Sequence, residues 1–142
     1  MADYEKDLLR GLGETLAAET HLAWVDPDGT TPYAPTETGL YIGPVPSEPR
    51  TAVAMNGYTV QMFPDTIIGV QFHTASFDHD EMTRAAQAVS DALEGRWGGM
   101  LGTVKLVSSA WQSGTILGQD ANGREQRTDN YYLKIVRKTP NR

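Results

Sequence analysis

The segment 117–137 limits this chain more than any other. Leu117-Gly118-Gln119-Asp120-Ala121-Asn122-Gly123-Arg124 supplies the αL-tolerant Asp, Asn and Gly residues of a tight reversal. After a short polar run come Asn130-Tyr131-Tyr132-Leu133-Lys134-Ile135-Val136-Arg137, in which Tyr131, Leu133 and Ile135 alternate with Tyr132, Lys134 and Val136. A period of two marks a strand with one buried face. The segment therefore reads as a turn, with Gly123 required by its backbone, opening onto a long terminal strand over 127–138. Arg124 is expected at an exposed tip, and Asp120 with Arg124 forms a local or intersubunit ion pair.

Upstream, Tyr4, Leu8, Leu12 and Leu16 step along one stripe with Leu9 beside it, which predicts a helix from Asp3, its N-cap, to Glu19. Gly11 and Gly13 cost such a helix about 1 kcal/mol each, so packing must hold it. A short strand over 21–25 ends in an Asp26-Pro27-Asp28-Gly29 turn. From Pro27 to Pro49 six prolines (27, 32, 35, 44, 46 and 49) surround one apolar tetrad, Gly39-Leu40-Tyr41-Ile42. Long loops in small domains are uncommon and tend to be functional. This one is expected to be a Pro-rich arm laid on a neighbour, the alternative being a connection over the domain's own surface.

Strands are predicted at 52–55 and 67–74, the second placing Ile68, Val70 and Phe72 on one face and Gln71 and His73 on the other. Asp78 and Glu81 suit a capping box for a second helix over 80–94, with Met82, Ala85, Ala86, Val89, Ala92 and Leu93 at the spacing of one buried face and Gly95 at its end. The rest is strand: 103–111, 115–117 and 127–138. Two helices and five or six strands, paired mostly between sequence neighbours, give an α+β fold: one domain with a largely antiparallel β-sheet flanked by two α-helices.

With 142 residues the chain can bury a core, and with no cysteine it has no thiolate metal site and no thiol nucleophile. Nothing in it approaches a membrane span or a signal peptide, so membrane partners are not expected. A net charge of -6 argues against phosphate-driven nucleic-acid binding. Residues 1–95 hold 15 acidic and 4 basic side chains and residues 96–142 hold 3 and 8, so -11 is followed by +5. Either the two parts lie on different faces, giving a dipole suited to head-to-tail packing, or they interleave and the asymmetry averages out.

The most enzyme-like cluster is Asp78-His79-Asp80-Glu81 with His73 upstream, in principle a divalent-metal or proton-sharing group. Carboxylates at a helix start are favoured simply as caps, and the spacing matches no metal signature. No cofactor, metal or catalytic residue is expected. His21, alone beside Trp24, reads as structural. No Gly-x-Ser-x-Gly elbow frames Ser108, Ser109 or Ser113, and the 98–102 glycines lie between helix and strand, the wrong order for a phosphate loop. Trp97, Trp111, Tyr131, Tyr132 and Arg124 are instead the types enriched at interface hot spots.

Taken together, Leu8 to Leu16, Pro44 to Pro49, Val70-Gln71, Leu93-Glu94-Gly95 and the closing Leu-Gly-x-Asp, Gly-Arg and Asn-Tyr segment resemble the small minor capsid or tail-terminator proteins of siphophages. The resemblance implies a non-enzymatic virion protein of the neck, assembling as a homohexameric ring that caps the tail tube and stops its growth. Its partners would be copies of itself, the tail tube protein and the head–tail connector or stopper, with DNA passing through the lumen unread. Asp120, Gly123, Arg124, Asn130 and Tyr131 match the closing motif and, with Trp97, are the implied interface residues. After Val70-Gln71 the family often continues with a basic residue, where this chain has Phe72-His73. Another neck protein, a stopper or head-completion protein, fits the same residues, and a small metal-dependent enzyme using His73, His79 and Asp80 is the alternative from a different class.

Overall fold

The structure, a computed structural model, describes residues 3–25 and 32–137. The expected turn at Asp26-Pro27-Asp28-Gly29, the capping side chain of Asp3 and Lys138 lie outside what is described. In chain order the elements are α1 (Asp3–Glu19), β1 (Ala23–Trp24), β2 (Gly39–Ile42), β3 (Thr51–Gln61), β4 (Thr66–Ser76), α2 (His79–Leu93), β5 (Met100–Leu101), β6 (Val104–Gln119) and β7 (Glu125–Val136).

The strands form one seven-stranded sheet in the order β1-β2-β3-β4-β7-β6-β5. From β3 to β5 every neighbour is antiparallel, whereas β1, β2 and β3 run parallel. The expected α+β class, two helices against a largely antiparallel sheet, is what forms. Pairing between sequence neighbours is only part of it, because β7 inserts between β4 and β6.

Alternation decides which face is covered. In β4, Ile68, Val70 and Phe72 are buried as expected, on the same face as Val53 and Met55 of β3 and Tyr131, Leu133 and Ile135 of β7. Against this face lie Leu8, Leu9, Leu12 and Leu16 of α1 and Met82, Ala85, Val89 and Leu93 of α2, all buried. Burying each large apolar side chain contributes about 1.5–3 kcal/mol. Phe72 and Tyr131 meet edge to face with centroids 5.6 Å apart, the geometry that ring quadrupoles favour.

At the start of α2, Asp78 Oδ1 accepts from the backbone N–H of Asp80 at 2.8 Å and of Glu81 at 3.3 Å. The reciprocal half of the expected capping box does not form. Ser76 Oγ takes the N–H of Asp78 at 3.0 Å, and Glu81 turns instead to Thr51 Oγ1 at 2.7 Å and to Arg50. Gly95, φ +71°, follows the last turn, a conformation cheap only for glycine.

A parallel pair ordinarily needs a longer return than residues 43–50 provide. Here β2 is only four residues long, so the chain must run back about 13 Å. Prolines 44, 46 and 49 favour extended backbone that gains roughly 3.1 Å per residue, enough for the journey. The crossover is fastened at its carbonyls: Gly43 O accepts from Asn56 Nδ2 at 2.9 Å, Ser47 O from Asn122 Nδ2 at 3.0 Å and Pro49 O from Arg124 Nη1 at 3.0 Å. Tyr33 accepts the N–H of Val25 and donates to Leu40 O, tying down the stretch before β2. Residues 43–50 of the Pro-rich segment are therefore tied to their own subunit at each end and in the middle.

The two glycines of α1 mark where it touches its neighbours. A Cβ on Gly11 would collide with the backbone of Leu101 and Gly102, and one on Gly13 with the indole of Trp24. Helix propensity alone favours Gly11→Ala by about 0.5–1 kcal/mol, while forcing backbone apart costs about 1–3 kcal/mol. Gly11→Ala should therefore lower the free energy of unfolding in a denaturant titration, and a gain in stability would show that α1 sits farther from β5 than described.

Candidate assembly surfaces

The sequence-singled residues fall in three separate places. At the β6–β7 reversal, Gly123 has φ +84° and donates its N–H to Asp120 O at 3.1 Å. Asp120 Oδ1 accepts the backbone N–H groups of Asn122 and Arg124, both at 2.9 Å, and Oδ2 accepts Arg124 Nε at 2.9 Å. An Asx-type turn is thus closed by its own carboxylate, with glycine supplying the positive φ.

Arg124 corrects the sequence expectation. It is 1% exposed, among the largest fully buried side chains, with its guanidinium spread between Asp120 and the carbonyl of Pro49. Of the two ion-pair alternatives the local one forms. A side chain that fills the gap between the turn and the 43–50 crossover has no surface to offer a neighbour.

Tyr131 is likewise 1% exposed and belongs to the core, where burial pushes its phenol up to about 12 and a Ser90 hydrogen bond opposes the rise. Its neighbour Tyr132 lies on the opposite face and is half-buried. Asn130 shares that opposite face, accepting from Tyr58 Oη at 3.2 Å and donating to Ser113 Oγ at 3.3 Å. Asn56, Gln71, Asn130 and Ser113 stand side by side across four strands, an uncharged polar row. Trp97 is 75% exposed, in the turn after α2, and bridges Ser108 through its backbone.

The metal-like cluster does not converge. His73 Nε2 meets Gln126 Oε1 at 2.8 Å and His79 Nδ1 meets Glu125 Oε2 at 2.9 Å, while Asp78 caps α2 and Glu81 holds Thr51 and Arg50. Among the described residues, no three His, Asp or Glu side chains are placed to share an ion.

The acidic and basic parts interleave. Because β7 lies beside β4, Lys134 reaches Asp65 at 3.2 Å, and Arg96 reaches Glu19 at 2.8 Å. Arg127 is matched within its own segment by Asp129 at 2.9 Å. Two ion pairs thus join the acidic part to the basic part within the subunit.

Missed by sequence reasoning were two sheet edges. β2 covers β3 only over 52–55, so Asn56–Gln61 has no partner strand on its outer side among the described residues, and Tyr58 and Val60 are exposed there. On the other side β5 covers only the start of β6, and every residue from Ala110 to Gln119 is exposed, including Trp111, Ile116 and Leu117. The signal was present: no charged residue occurs from Thr51 to Pro64 or from Leu106 to Gln119.

No protein family matches the chain by sequence, and no curated protein does. Among solved structures, it is similar to a chain from the virion of a native gene transfer agent particle, with a TM-score of 0.53 and 15% identity over 68% of this chain and 77% of that one. At this identity the likeness is one of fold. No helix among the described residues is long and apolar enough to cross a membrane.

Burial raises the Asp120 carboxyl, but the Arg124 N–H and guanidinium and the Asn122 N–H together hold it below its ordinary 3.8. The unfolded chain therefore takes up this proton first. Stability linked to Asp120 is complete above that value and is lost as pH falls through the lower folded pKa. Asp7, held low by the Thr103 hydroxyl and N–H, and Glu19, held low by Arg96, add to the same acid slope. Arg124→Ala should cost about 2 kcal/mol or more, from lost packing and an orphaned carbonyl at Pro49. Chemical denaturation at pH 7 measures this, and a change within 0.5 kcal/mol would return Arg124 to the surface. Asp120→Asn should flatten the decline in melting temperature below pH 4.

Proposed function

We propose that this chain is a structural virion protein, without enzymatic activity, that assembles as a homohexameric ring capping a phage tail tube, ends tube growth and joins the tail to the head connector. The observation that carries the proposal is its fold, similar over most of its length to a chain from the virion of a gene transfer agent particle. The tail-terminator resemblance of the sequence narrows that to the neck. The surface chemistry agrees, since the exposed strand edges are uncharged and partly apolar and Trp97 is 75% open to solvent, the material of protein contacts.

In this proposal the partners are copies of the same chain, the tube protein and the connector or stopper, in the virion and, before that, in the host cytoplasm. DNA passes without base readout through a lumen whose net negative subunits do not favour counterion-releasing contacts. The interface assignment rests on Trp97 and Asn130, while Asp120 and Gly123 close the separate β6–β7 turn. A stopper or head-completion role shares every one of these features and differs only in whether the ring seats on the tube or on the connector.

Polymerising tube protein with and without this chain, followed by electron microscopy, separates the two. Capped tubes of limited length are expected, and tubes that grow on uncapped would remove the terminator role. Trp97→Ala should leave stability within about 0.5 kcal/mol, yet weaken capping by about 2 kcal/mol, roughly thirtyfold, as a hot-spot aromatic would. Undiminished capping by this variant would exclude Trp97 from the interface.

A further inference from the structure

The two exposed edges are related by direction. β3, β4, β7 and β6 are successive antiparallel neighbours, so β3 and β6 run in opposite senses. If a second copy continues the sheet in the same orientation, its β3 lies antiparallel to β6 of the first, the pairing in which short strands bond well. The free part of each strand is its second half, Asn56–Gln61 and Gln112–Gln119, Trp111 having already given its N–H to Glu94. Through β4 and β7, Asn56 is level with Asn130 and Gln61 with Lys134, whereas Ser113 is level with Asn130 and Gln119 with Glu125. Bringing the halves together therefore shifts the second copy along the strands by about four or five residues, roughly 15 Å. A closed sheet of tilted strands requires a stagger of this kind.

Charge names the occupant. Edges of monomeric sheets are guarded by lysine, glutamate or inward charges along the strand, and here neither edge strand carries one, in a chain that is 21% charged, Glu5 of α1 reaching only the Thr59 hydroxyl at 3.1 Å. The devices present are bulges, where the register shifts at Thr59/Gln61, Trp111/Ser113 and Ile116/Gly118. They restrict pairing to short stretches without forbidding it. Two neutral edges repel neither each other nor themselves, but only β6 against β3 joins two different patches of the chain, the heterologous contact from which rings are built.

We infer that copies of this chain join edge to edge, the free half of β6 in one copy pairing antiparallel with the free half of β3 in the next, so that the sheet runs on from subunit to subunit. This rests on the ring of the proposed function and specifies its contact.

The absence of cysteine makes the test direct. Val60→Cys and Ile116→Cys place thiols at the two edges, both at exposed positions. Mixed and treated with a short bismaleimide, the two variants should give a β3–β6 cross-linked dimer at least tenfold above a mixture in which exposed Glu48→Cys replaces either. The double variant should give a ladder ending at the ring. Adding Ile116→Lys to a Val60→Cys partner mixture with Thr115→Cys should abolish the product by placing a charge in the edge. No excess over the Glu48 control, or Ile116→Cys linking chiefly to itself, would overturn the inference. A ladder from protein that fails to cap tubes would keep the edge contact and remove the capping role, and capping without a ladder would do the reverse.

Discussion

The pairing of β4 with β7, from Thr66 beside Ile135 to Ser76 beside Glu125, is the contact on which the rest of this fold depends. It places the last strand of the chain in the middle of the sheet, next to a strand some sixty residues earlier, and so joins the β1–β4 and β5–β7 parts into one surface. Only that surface is broad enough for both helices, since α2 lies over β4 and β7 while α1 spans β1, β3 and β5. Contacts of such long sequence separation are closed at an entropic cost before they are rewarded. The rows that start at Val53 and Met55 end on Arg127 and Asp129 at β7, whereas the row Gly57–Val70–Tyr131–Trp111 carries no charge and Ile68–Leu133 is flanked only by the hydroxyls of Thr59 and Ser109. Register is thereby fixed, since a slip of one residue would turn Phe72 and Tyr131 out to solvent.

A second constraint follows from the first. With β7 central, the β6–β7 reversal comes to lie against the 43–50 crossover, and Arg124 fills the space between them. Its partners, Asp120 four residues back and Pro49 from the far side of the chain, close a local turn and a remote loop with one side chain. Arginine suits the task because a planar fork can serve a carboxylate and a carbonyl at once. The charged segments meet in part as well, for Arg96 and Lys134 pair with Glu19 and Asp65 of the acidic part, whereas Arg124 is matched by Asp120 of its own segment.

Much of the fold was legible because burial on one face writes a period into sequence. The leucine stripe of α1, the alternation of β4 and β7 and the small apolar face of α2 gave elements within a residue or two of those that form. Legibility failed where that period breaks. β6 was expected as two strands, at 103–111 and 115–117, because bulges after Leu106, Trp111 and Ile116 shift its alternation, although the hydrogen-bonded strand runs on. β3 was expected to stop near Met55, since Asn56 to Gln61 faces no core. The parallel β2–β3 pair carries no local signal at all, as it depends on a crossover being short enough to return.

The site was harder to see for a related reason. An arginine in a turn between an Asn-Gly and a strand looks like an exposed tip, and nothing local reveals that Pro49 will close over it. The edges were hidden in the opposite way. Runs free of charge from Thr51 to Pro64 and Leu106 to Gln119 look like core strands, and half of each is core. What sequence cannot supply is the knowledge that the strand next door stops short. Once β2 ends opposite Met55 and β5 opposite Lys105, the uncharged run continues past the cover, and its neutrality changes meaning. In the buried half it avoids desolvating a charge. In the exposed half it forgoes the usual guard against pairing, and the bulges at Thr59/Gln61, Trp111/Ser113 and Ile116/Gly118 interrupt its regular bonding pattern. Such an edge tolerates one specific neighbour far better than an endless stack, because a bulged, twisted strand accepts only a few bonded residues before the two strands diverge.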